Sequence, residues 1–182
     1  SSEPKECASP KREGDGCSPV GIFPISALFG VAGPGTEQAR VARLPYLAAT
    51  PDLKAVDDPA SLYYNRIVDQ TTVAPDWCSC EDMLRPDGRY EVGAVVGYNT
   101  DPVVPGAGSC IFLHVWEAPG RPTAGCTAMD REDMLAVARW LDGACHPLLV
   151  QLPRAVYRQV CGPWGLPPAE VLAAVPSSSN PG

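Results

Sequence analysis

Two apolar segments in the middle of the chain have the pattern of buried β-strands. Residues Tyr90–Tyr98 are almost continuously apolar, which is typical of a strand covered on both faces. In Cys110–Trp116, successive side chains point to opposite faces of the sheet. His114 therefore shares one face with the cysteine and the aromatic residues of that segment. A shorter apolar segment, residues 147–152, predicts a further buried strand.

One segment has helical periodicity. Its apolar positions recur at the spacing of one helix face, and they are Met134, Leu135, Ala138 and Leu141. Asp130 is a preferred N-cap residue, and Gly143 is typical of the position beyond a helix C-terminus. The pattern predicts one principal α-helix at about residues 131–141.

Prolines and glycines interrupt the remaining apolar segments. The chain has 21 prolines and 17 glycines. Proline removes a hydrogen-bond donor from a sheet, and glycine supplies the backbone geometry of turns. We therefore expect short strands and turns in residues 20–47, where Pro24 and Pro34 break the apolar runs, and mostly loops in residues 51–92. The fold class that follows is mainly β.

Length and charge restrict the domain organisation and the partners. A chain of 182 residues favours one domain. We expect a polar N-terminal arm over residues 1–19, a main domain over 20–175 and a disordered tail over 176–182. The net charge of −7 and the absence of Lys/Arg runs exclude a nucleic-acid partner. No segment reaches the roughly 20 apolar residues of a membrane span, and we expect a monomer.

Cysteine content indicates the compartment. The eight cysteines are Cys7, Cys17, Cys78, Cys80, Cys110, Cys126, Cys145 and Cys161. This density favours a secreted protein with disulfides in an oxidising compartment. Cys7–Cys17 and Cys145–Cys161 are candidate pairs, although spacing does not fix connectivity. If Cys126 is a free thiol, Cys110 is the candidate for a second one, and Cys78 and Cys80 are expected to pair elsewhere.

Only two histidines can serve a cysteine enzyme as its base. A thiol is mostly protonated at neutral pH and becomes nucleophilic beside a base. His146 has only Cys145 nearby in sequence, whereas a hairpin of twelve residues after His114 brings the chain to Cys126. Gly125 would let a substrate carbonyl approach backbone N–H groups that form an oxyanion hole.

Other interpretations of these residues remain open on spacing alone. His114 fits a hydrogen-bonded core histidine, and Cys126 fits half of a disulfide. A zinc site is a third alternative, with Cys78, Cys80, Cys145 and His146 as ligands. Its spacing is not that of a C-x₂-C pair, and we expect neither a metal nor an organic cofactor.

The order of several motifs resembles the catalytic domain of the L,D-transpeptidase (YkuD-like) family. His114 is followed by Thr123-x-Gly125-Cys126, similar to the family's histidine, variable loop and Ser/Thr-x-Gly-Cys. The other similar segments are Ser18–Phe23, Leu44–Tyr46, Asp58–Ser61, Tyr64–Arg66, Trp77 with Glu81 and Met83, Tyr98–Asn99, and Pro105–His114. The resemblance implies a β-sandwich or barrel-like sheet with the principal helix packed on it.

The resemblance also implies a function. Family enzymes form a thioester (acyl-enzyme) with peptidoglycan stem peptides outside the cytoplasm, in the periplasm or cell wall. Cys126 would be the nucleophile and His114 the general base. The residues implied for the oxyanion and the substrate are Gly125, Thr123, Ala124, Glu81, Asn99 and Trp116, with Tyr64 as a further cleft residue. The alternatives are a related thiol hydrolase (L,D-carboxypeptidase, amidase or endopeptidase) and a catalytically dead, disulfide-stapled binding module.

Three positions depart from the family pattern. Ala124 stands where histidine is commonest, and Thr127 stands where Arg or Asn usually follows the cysteine. These departures remove side chains that would contact the acceptor and the stem peptide. Val115 stands where Gly or Ser is usual. The group that orients the His114 imidazole is therefore expected to be a backbone carbonyl or a distant side chain.

Overall fold

A computed structural model describes residues 10–173 of the chain. Contacts divide them into two compact units. The first contains residues 10–19 and 23–149, and the second contains residues 20–22 and 150–173. The candidate site residues named above all belong to the first unit. The predicted tail over 176–182 lies outside the described residues.

Nine strands and four helices occur in the described residues. The strands are β1 Gly21–Gly30, β2 Tyr46–Ala48, β3 Leu53–Val56, β4 Arg66–Asp69, β5 Cys80–Asp82, β6 Val92–Val96, β7 Phe112–Val115, β8 Thr127–Met129 and β9 Leu148–Gln151. The helices are α1 Glu37–Arg40, α2 Arg131–Trp140, α3 Arg154–Val160 and α4 Ala169–Ala173. The fold is mainly β, as the sequence predicted.

The strands form two sheets. The larger has six strands in the order β2-β1-β6-β7-β8, with β9 also pairing with β1. It is mixed: β1–β6 and β6–β7 are antiparallel, whereas β1–β2 and β7–β8 are parallel. The smaller sheet is antiparallel, in the order β4-β3-β5.

Strand β7 is covered on both faces. Ile111 and Leu113 pack into one core with Met134 of α2. Phe112 and the preceding Cys110 pack into a second core with residues of the smaller sheet, such as Ala55. The alternation of side chains along a strand sends these neighbours to opposite sides, and the central sheet thus lies between α2 and the smaller sheet.

The principal helix is confirmed. The Asp130 side chain caps α2 by accepting a hydrogen bond from the Glu132 N–H at 2.8 Å. Met134 is fully buried, in keeping with the predicted apolar stripe. The helix ends at Trp140 and Leu141 is its C-cap, so Gly143 lies beyond the end and begins a short 3₁₀ turn.

The predicted hairpin between His114 and Cys126 is wrong. Strands β7 and β8 run parallel, with Leu113 opposite Thr127 and His114 opposite Ala128. Parallel neighbours need a connection that returns the chain to the start of the first strand, and the residues between β7 and β8 do this as a loop. The twelve-residue spacing is compatible with either direction, so sequence alone did not distinguish them.

Three further strand predictions need correction. Strand β1 continues through Pro24, which lacks an N–H but accepts a hydrogen bond from the Gly97 N–H at 2.8 Å. Residues 51–92 contain the smaller sheet, whose strands of three or four residues are too short to show alternation. In β9, Leu148 is exposed and the other residues are only partly covered, so this strand is not buried.

The predicted disulfides are largely absent from the described residues. Cys17 is disulfide-bonded, and Cys7 lies outside the described part of the chain. The pairing Cys145–Cys161 is wrong, because the free thiols are Cys78, Cys80, Cys110, Cys126, Cys145 and Cys161. Neither the spacing nor the number of cysteines in a sequence specifies which of them approach each other in space.

Candidate active site

His114 lies in the middle of β7, in a buried and aromatic environment. Its side chain is only 5% exposed, and its ring meets Tyr90 edge to face at 5.4 Å between centroids. Nδ1 lies 2.7 Å from the Val115 carbonyl oxygen. The sequence left the orienting group open between a backbone carbonyl and a distant side chain, and a backbone carbonyl holds the ring. With the proton on Nδ1, Nε2 is the basic nitrogen.

Cys126 immediately precedes β8 and is partly buried. Its Sγ accepts a hydrogen bond from the Phe112 N–H at 3.3 Å and donates to the Cys110 carbonyl oxygen at 3.5 Å. These two contacts tie the thiol to the residues at the start of β7. The side chain packs against the core that contains Phe112 and Cys110.

The register of β7 and β8 relates the two residues. His114 lies opposite Ala128, so continuing the register by two residues sets Cys126 opposite Phe112. Residues two apart along a strand share a face, and opposite residues in neighbouring strands also share one. Cys126 and His114 therefore extend from the same face of the sheet. Tyr90 lies there too, with its ring against both Phe112 and His114.

Burial keeps both groups uncharged at neutral pH. It raises the pKa of the Cys126 thiol to about 12; the Phe112 N–H and Lys11 act to lower that pKa, and the Glu81 carboxylate raises it. Burial also lowers the pKa of His114, against the effect of the Val115 carbonyl. The resting pair is consequently a neutral thiol and a neutral imidazole.

A cavity of about 400 Å³ opens beside Cys126. Its lining residues are Lys11, Glu13, Gly14, Asp57, Asp58, Pro59, Cys78, Ser79, Glu81, Ser109, Cys110, Ile111, Ala124, Gly125 and Cys126. Three of the predicted site residues, Glu81, Ala124 and Gly125, thus lie with Cys126 at one cavity. Glu81 also accepts a hydrogen bond from the Tyr90 hydroxyl at 2.5 Å. Carboxylates outnumber cations in this lining, so the cavity is acidic.

Thr123 closes the loop that carries the cysteine. Its hydroxyl donates to the Cys126 carbonyl oxygen at 2.6 Å and accepts from the Gly125 N–H at 3.2 Å. A carbonyl oxygen that enters here would compete with this hydroxyl for the Gly125 N–H. The Thr123 hydroxyl therefore accepts a hydrogen bond from one of the backbone N–H donors that are expected to form an oxyanion hole.

Two predicted substrate residues lie elsewhere. The Asn99 amide donates to the carbonyl oxygens of Val104 and Gly108 at 2.9 Å, and its Oδ1 accepts from the Val104 N–H at 2.8 Å. These bonds shape the loop after β6. Trp116 follows β7 and donates its backbone N–H to Met129 at 2.9 Å. Neither residue is among those that line the Cys126 cavity.

Sequence reasoning missed the contribution of the N-terminal arm. Lys11 and Glu13 line the Cys126 cavity. Glu13 accepts hydrogen bonds from the hydroxyls of Tyr64 at 2.5 Å and Ser109 at 2.8 Å. Tyr64 thus helps to hold the arm in place through this hydrogen bond. A polar segment carries no periodic signal of such docking, and only the three-dimensional contacts reveal it.

The residues of the alternative zinc site are not brought together. Cys78 lines the Cys126 cavity, whereas Cys145 and His146 line a separate one with Trp140. Within residues 10–173, no cluster of three or more His, Cys, Asp or Glu side chains is suitable for a metal ion. No helix in that range has the length and apolar character needed to cross a bilayer.

Comparison with known families gives one match. The family model of the L,D-transpeptidase catalytic domain (YkuD) matches residues 2–157. This range includes both sheets, the arm, α2 and every candidate site residue described above. No curated protein and no solved structure matches the chain.

Proposed function

The chain belongs to the L,D-transpeptidase catalytic domain (YkuD) family, and from this premise we propose that it cross-links peptidoglycan stem peptides through a thioester on Cys126. The family consists of cysteine-dependent transpeptidases that act on peptidoglycan. The proposal assigns the nucleophile, the general base and the chemical steps to particular residues of this chain.

One observation carries the assignment. Cys126 and His114 extend from the same face of adjacent parallel strands, and the thiol opens into a cavity large enough for part of a peptide. The other histidine, His146, is exposed and lines a different cavity. This arrangement supports His114, and not His146, as the base for Cys126.

In the first step, His114 Nε2 takes the thiol proton while Sγ attacks the carbonyl carbon that joins an L-centre to D-alanine. The C–S bond forms as the carbonyl becomes a tetrahedral oxyanion, which backbone N–H groups near Gly125 would stabilise. The C–N bond then breaks, and the imidazolium gives its proton to the leaving amine. The products are the thioester and free D-alanine.

In the second step, an amine of another stem peptide attacks the thioester and His114 accepts its proton. Collapse of the oxyanion expels the Cys126 thiolate, which recovers a proton from the imidazolium. The product is a new amide, and the enzyme is regenerated. If water attacks in place of the amine, the same groups give a carboxypeptidase, so transfer and hydrolysis differ only in the acceptor.

The acidic cavity supports an amine as the second substrate. Glu81, Asp57 and Asp58 line it beside Cys126, and carboxylates attract an ammonium group. We propose that the enzyme works as a monomer outside the cytoplasm, where peptidoglycan peptides are found. It would need no cofactor, because the thiol and the imidazole supply the chemistry.

The test is to trap the acyl-enzyme. The protein is incubated with purified tetrapeptide-stem muropeptides, and its intact mass is measured after rapid acid quenching. We expect a mass increase equal to the acyl fragment, release of D-alanine, and a cross-linked product when an amine acceptor is present. Peptide mapping should assign the adduct to Cys126.

Two variants control this experiment. Cys126→Ala should form no adduct and no product, and Cys145→Ala, which removes an exposed thiol elsewhere, should react as the parent does. An adduct on a different cysteine would overturn the assignment. Absence of both adduct and D-alanine release in the folded parent protein would favour the catalytically dead binding module.

A further inference from the structure

The described part of the N-terminal arm, residues 10–19, packs directly on the loop that carries Cys126. A Cβ at Gly125, where φ is +149°, would lie 2.9 Å from the Cys17 carbonyl oxygen. That approach is closer than real Cβ contacts, so the arm can occupy this position only because residue 125 is glycine. The glycine before the nucleophile therefore accommodates the arm as well as a substrate.

Lys11 extends from the arm into the same region. Its Nζ lies 3.5 Å from the Cβ position of Gly125, and its aliphatic chain runs past the corresponding position of Gly108. The Lys11 side chain is only 9% exposed. Two glycines thus leave room for one buried lysine beside the candidate nucleophile.

The Lys11 ammonium group is held in place by the arm itself. It donates to the Asp15 carboxylate at 2.7 Å and to the Arg12 carbonyl oxygen at 2.7 Å. Asp15 also accepts hydrogen bonds from the backbone N–H groups of Arg12 and Cys17 at 2.9 Å. Burying a cation is costly unless it is paired, and this arrangement supplies the partner and fixes the orientation.

Lys11 is the one cation among the cavity-lining residues. The titratable groups that line the cavity with Cys126 are Lys11 and Glu13 of the arm, Asp57 and Asp58 after β3, Cys78 before β5, Glu81 on β5 and Cys110 before β7. Tyr90 and His114 lie on the same face of the sheet as Cys126. Four of these groups are carboxylates, and a carboxylate opposes a negative charge on sulfur. A cation is needed in this surrounding if the thiolate is to form during turnover.

We propose that Lys11 is a positioning residue whose buried ammonium ion, oriented by Asp15, stabilises the thiolate form of Cys126, a role that rests on Cys126 being the nucleophile proposed above. The effect of Lys11 on the pKa of Cys126 has the direction that this role requires. Burial and Glu81 raise that pKa, whereas Lys11 lowers it. The arm would then contribute a charged residue to the active site as well as lining its cavity.

The test measures the pH dependence of alkylation at Cys126. The folded protein reacts with iodoacetamide at several pH values from about 7 to 10, below the raised pKa of Cys126 of about 12, and peptide mapping gives the rate of the Cys126 adduct alone. Only the thiolate displaces iodide, so the rate at each pH follows the thiolate fraction of Cys126, and extrapolation of that fraction to one half gives the midpoint, which is the pKa of this residue. No peptidoglycan substrate is needed.

Three variants separate charge from structural support. Lys11→Met should raise the midpoint by about 0.5–1 pH unit, slowing alkylation about three- to tenfold at neutral pH. Asp15→Asn should lower the midpoint, because it removes the charge that neutralises Lys11 while keeping an oxygen acceptor. Lys54→Met, which removes a lysine paired with Asp82 in the smaller sheet, should leave the midpoint unchanged.

The two arm variants have opposite signs only if the charge of Lys11 acts on Cys126. Shifts in the same direction would show that the arm is merely a structural support, and an unchanged midpoint in Lys11→Met would also overturn the proposal. If Lys11→Met does not fold, Asp15→Asn decides, since an unchanged or raised midpoint contradicts the proposal. If iodoacetamide never modifies Cys126 in the folded parent protein, the proposed function fails instead.

Discussion

The two candidate catalytic groups, Cys126 and His114, extend from one face of the central sheet but lie in different environments. Cys126 borders an acidic cavity, with Glu81 and Lys11 in its lining. His114 is enclosed by aromatic and backbone groups, with Tyr90 against its ring and the Val115 carbonyl at Nδ1. Water and substrate can reach the sulfur side, whereas the imidazole side is part of the protein core.

Burial has opposite effects on the two pKa values, since a thiol is charged when deprotonated and an imidazole is charged when protonated. It raises that of Cys126 and lowers that of His114, because each group is forced toward its uncharged form. A stable thiolate–imidazolium pair is therefore disfavoured in the resting protein. The proton would move to His114 when the sulfur attacks a bound carbonyl, and the charge would pass to the oxyanion.

The largest expected effect is on kcat/KM and comes from substituting His114, the more deeply buried of the two groups. His114→Ala should lower kcat/KM by about 10²–10⁴, the range typical of losing a general base. The measurement is release of D-alanine from stem tetrapeptides under initial-rate conditions. His146→Asn is the matched control, because His146 is exposed and has a left-handed backbone (φ 48°) that asparagine tolerates. Equal losses in both variants would remove the distinction between the two histidines.

A smaller effect, on the rate of Cys126 alkylation, is expected from substituting Glu81, which lines the cavity beside Cys126. Glu81→Gln should lower the pKa of Cys126, because it removes a carboxylate that raises that pKa but keeps an acceptor for the Tyr90 hydroxyl. Alkylation of Cys126 at neutral pH should become about three- to tenfold faster. Asp82→Asn, at the exposed neighbouring position of β5, should have no effect. Slower alkylation in Glu81→Gln would mean that the carboxylate supports the thiolate.

The smallest effect at neutral pH is on stability, which should change only where the pH becomes alkaline or acidic; the alkaline limb of this change reports Cys126 and the acid limb reports His114. The unfolded chain loses the Cys126 proton near the ordinary pKa of 9.0, whereas the folded protein keeps it to about 12. The free energy of unfolding should therefore fall as pH rises through this window. On the acid side, His114 has a lowered pKa, so stability should fall as pH drops below about 6.5.

Cys126→Ala should flatten the alkaline limb and leave the acid limb unchanged. Urea unfolding followed by circular dichroism at several pH values measures both. Buried Cys110, whose pKa is also raised by burial, retains its own share of the alkaline limb in either protein. An alkaline limb that is identical with and without Cys126 would show that this thiol ionises with an ordinary pKa in the folded state.

Much of the fold was accessible from the sequence. The helix was predictable from Asp130 and the apolar stripe that includes Met134, because both signals are local. The central strands β6 and β7 were predictable from apolar content and alternation. The smaller sheet was missed, since strands such as Cys80–Asp82 lie among turn residues and owe their pairing to residues far along the chain. Strand direction at β7–β8 was also missed, because a loop length does not encode it.

The candidate site divides in the same way. Cys126, His114, Gly125, Glu81 and Ala124 were predicted as site residues from residue chemistry and motif order. Asn99 and Trp116 were predicted with them as substrate residues, but they do not line the Cys126 cavity, and their hydrogen bonds shape other loops. Lys11 was overlooked, because a single lysine in a polar segment is indistinguishable from a solvated one.

By itself the sequence determined which groups are available: a cysteine in the Thr123-x-Gly125-Cys126 motif, two histidines, and strands apolar enough to be buried. The tertiary structure decided which histidine shares a face with the cysteine, which thiols stay free and which charges surround the sulfur. The physical reason is the distance along the chain over which each effect acts. Strand and helix preferences arise between near neighbours, whereas burial and electrostatic shifts depend on groups brought together from distant parts of the chain.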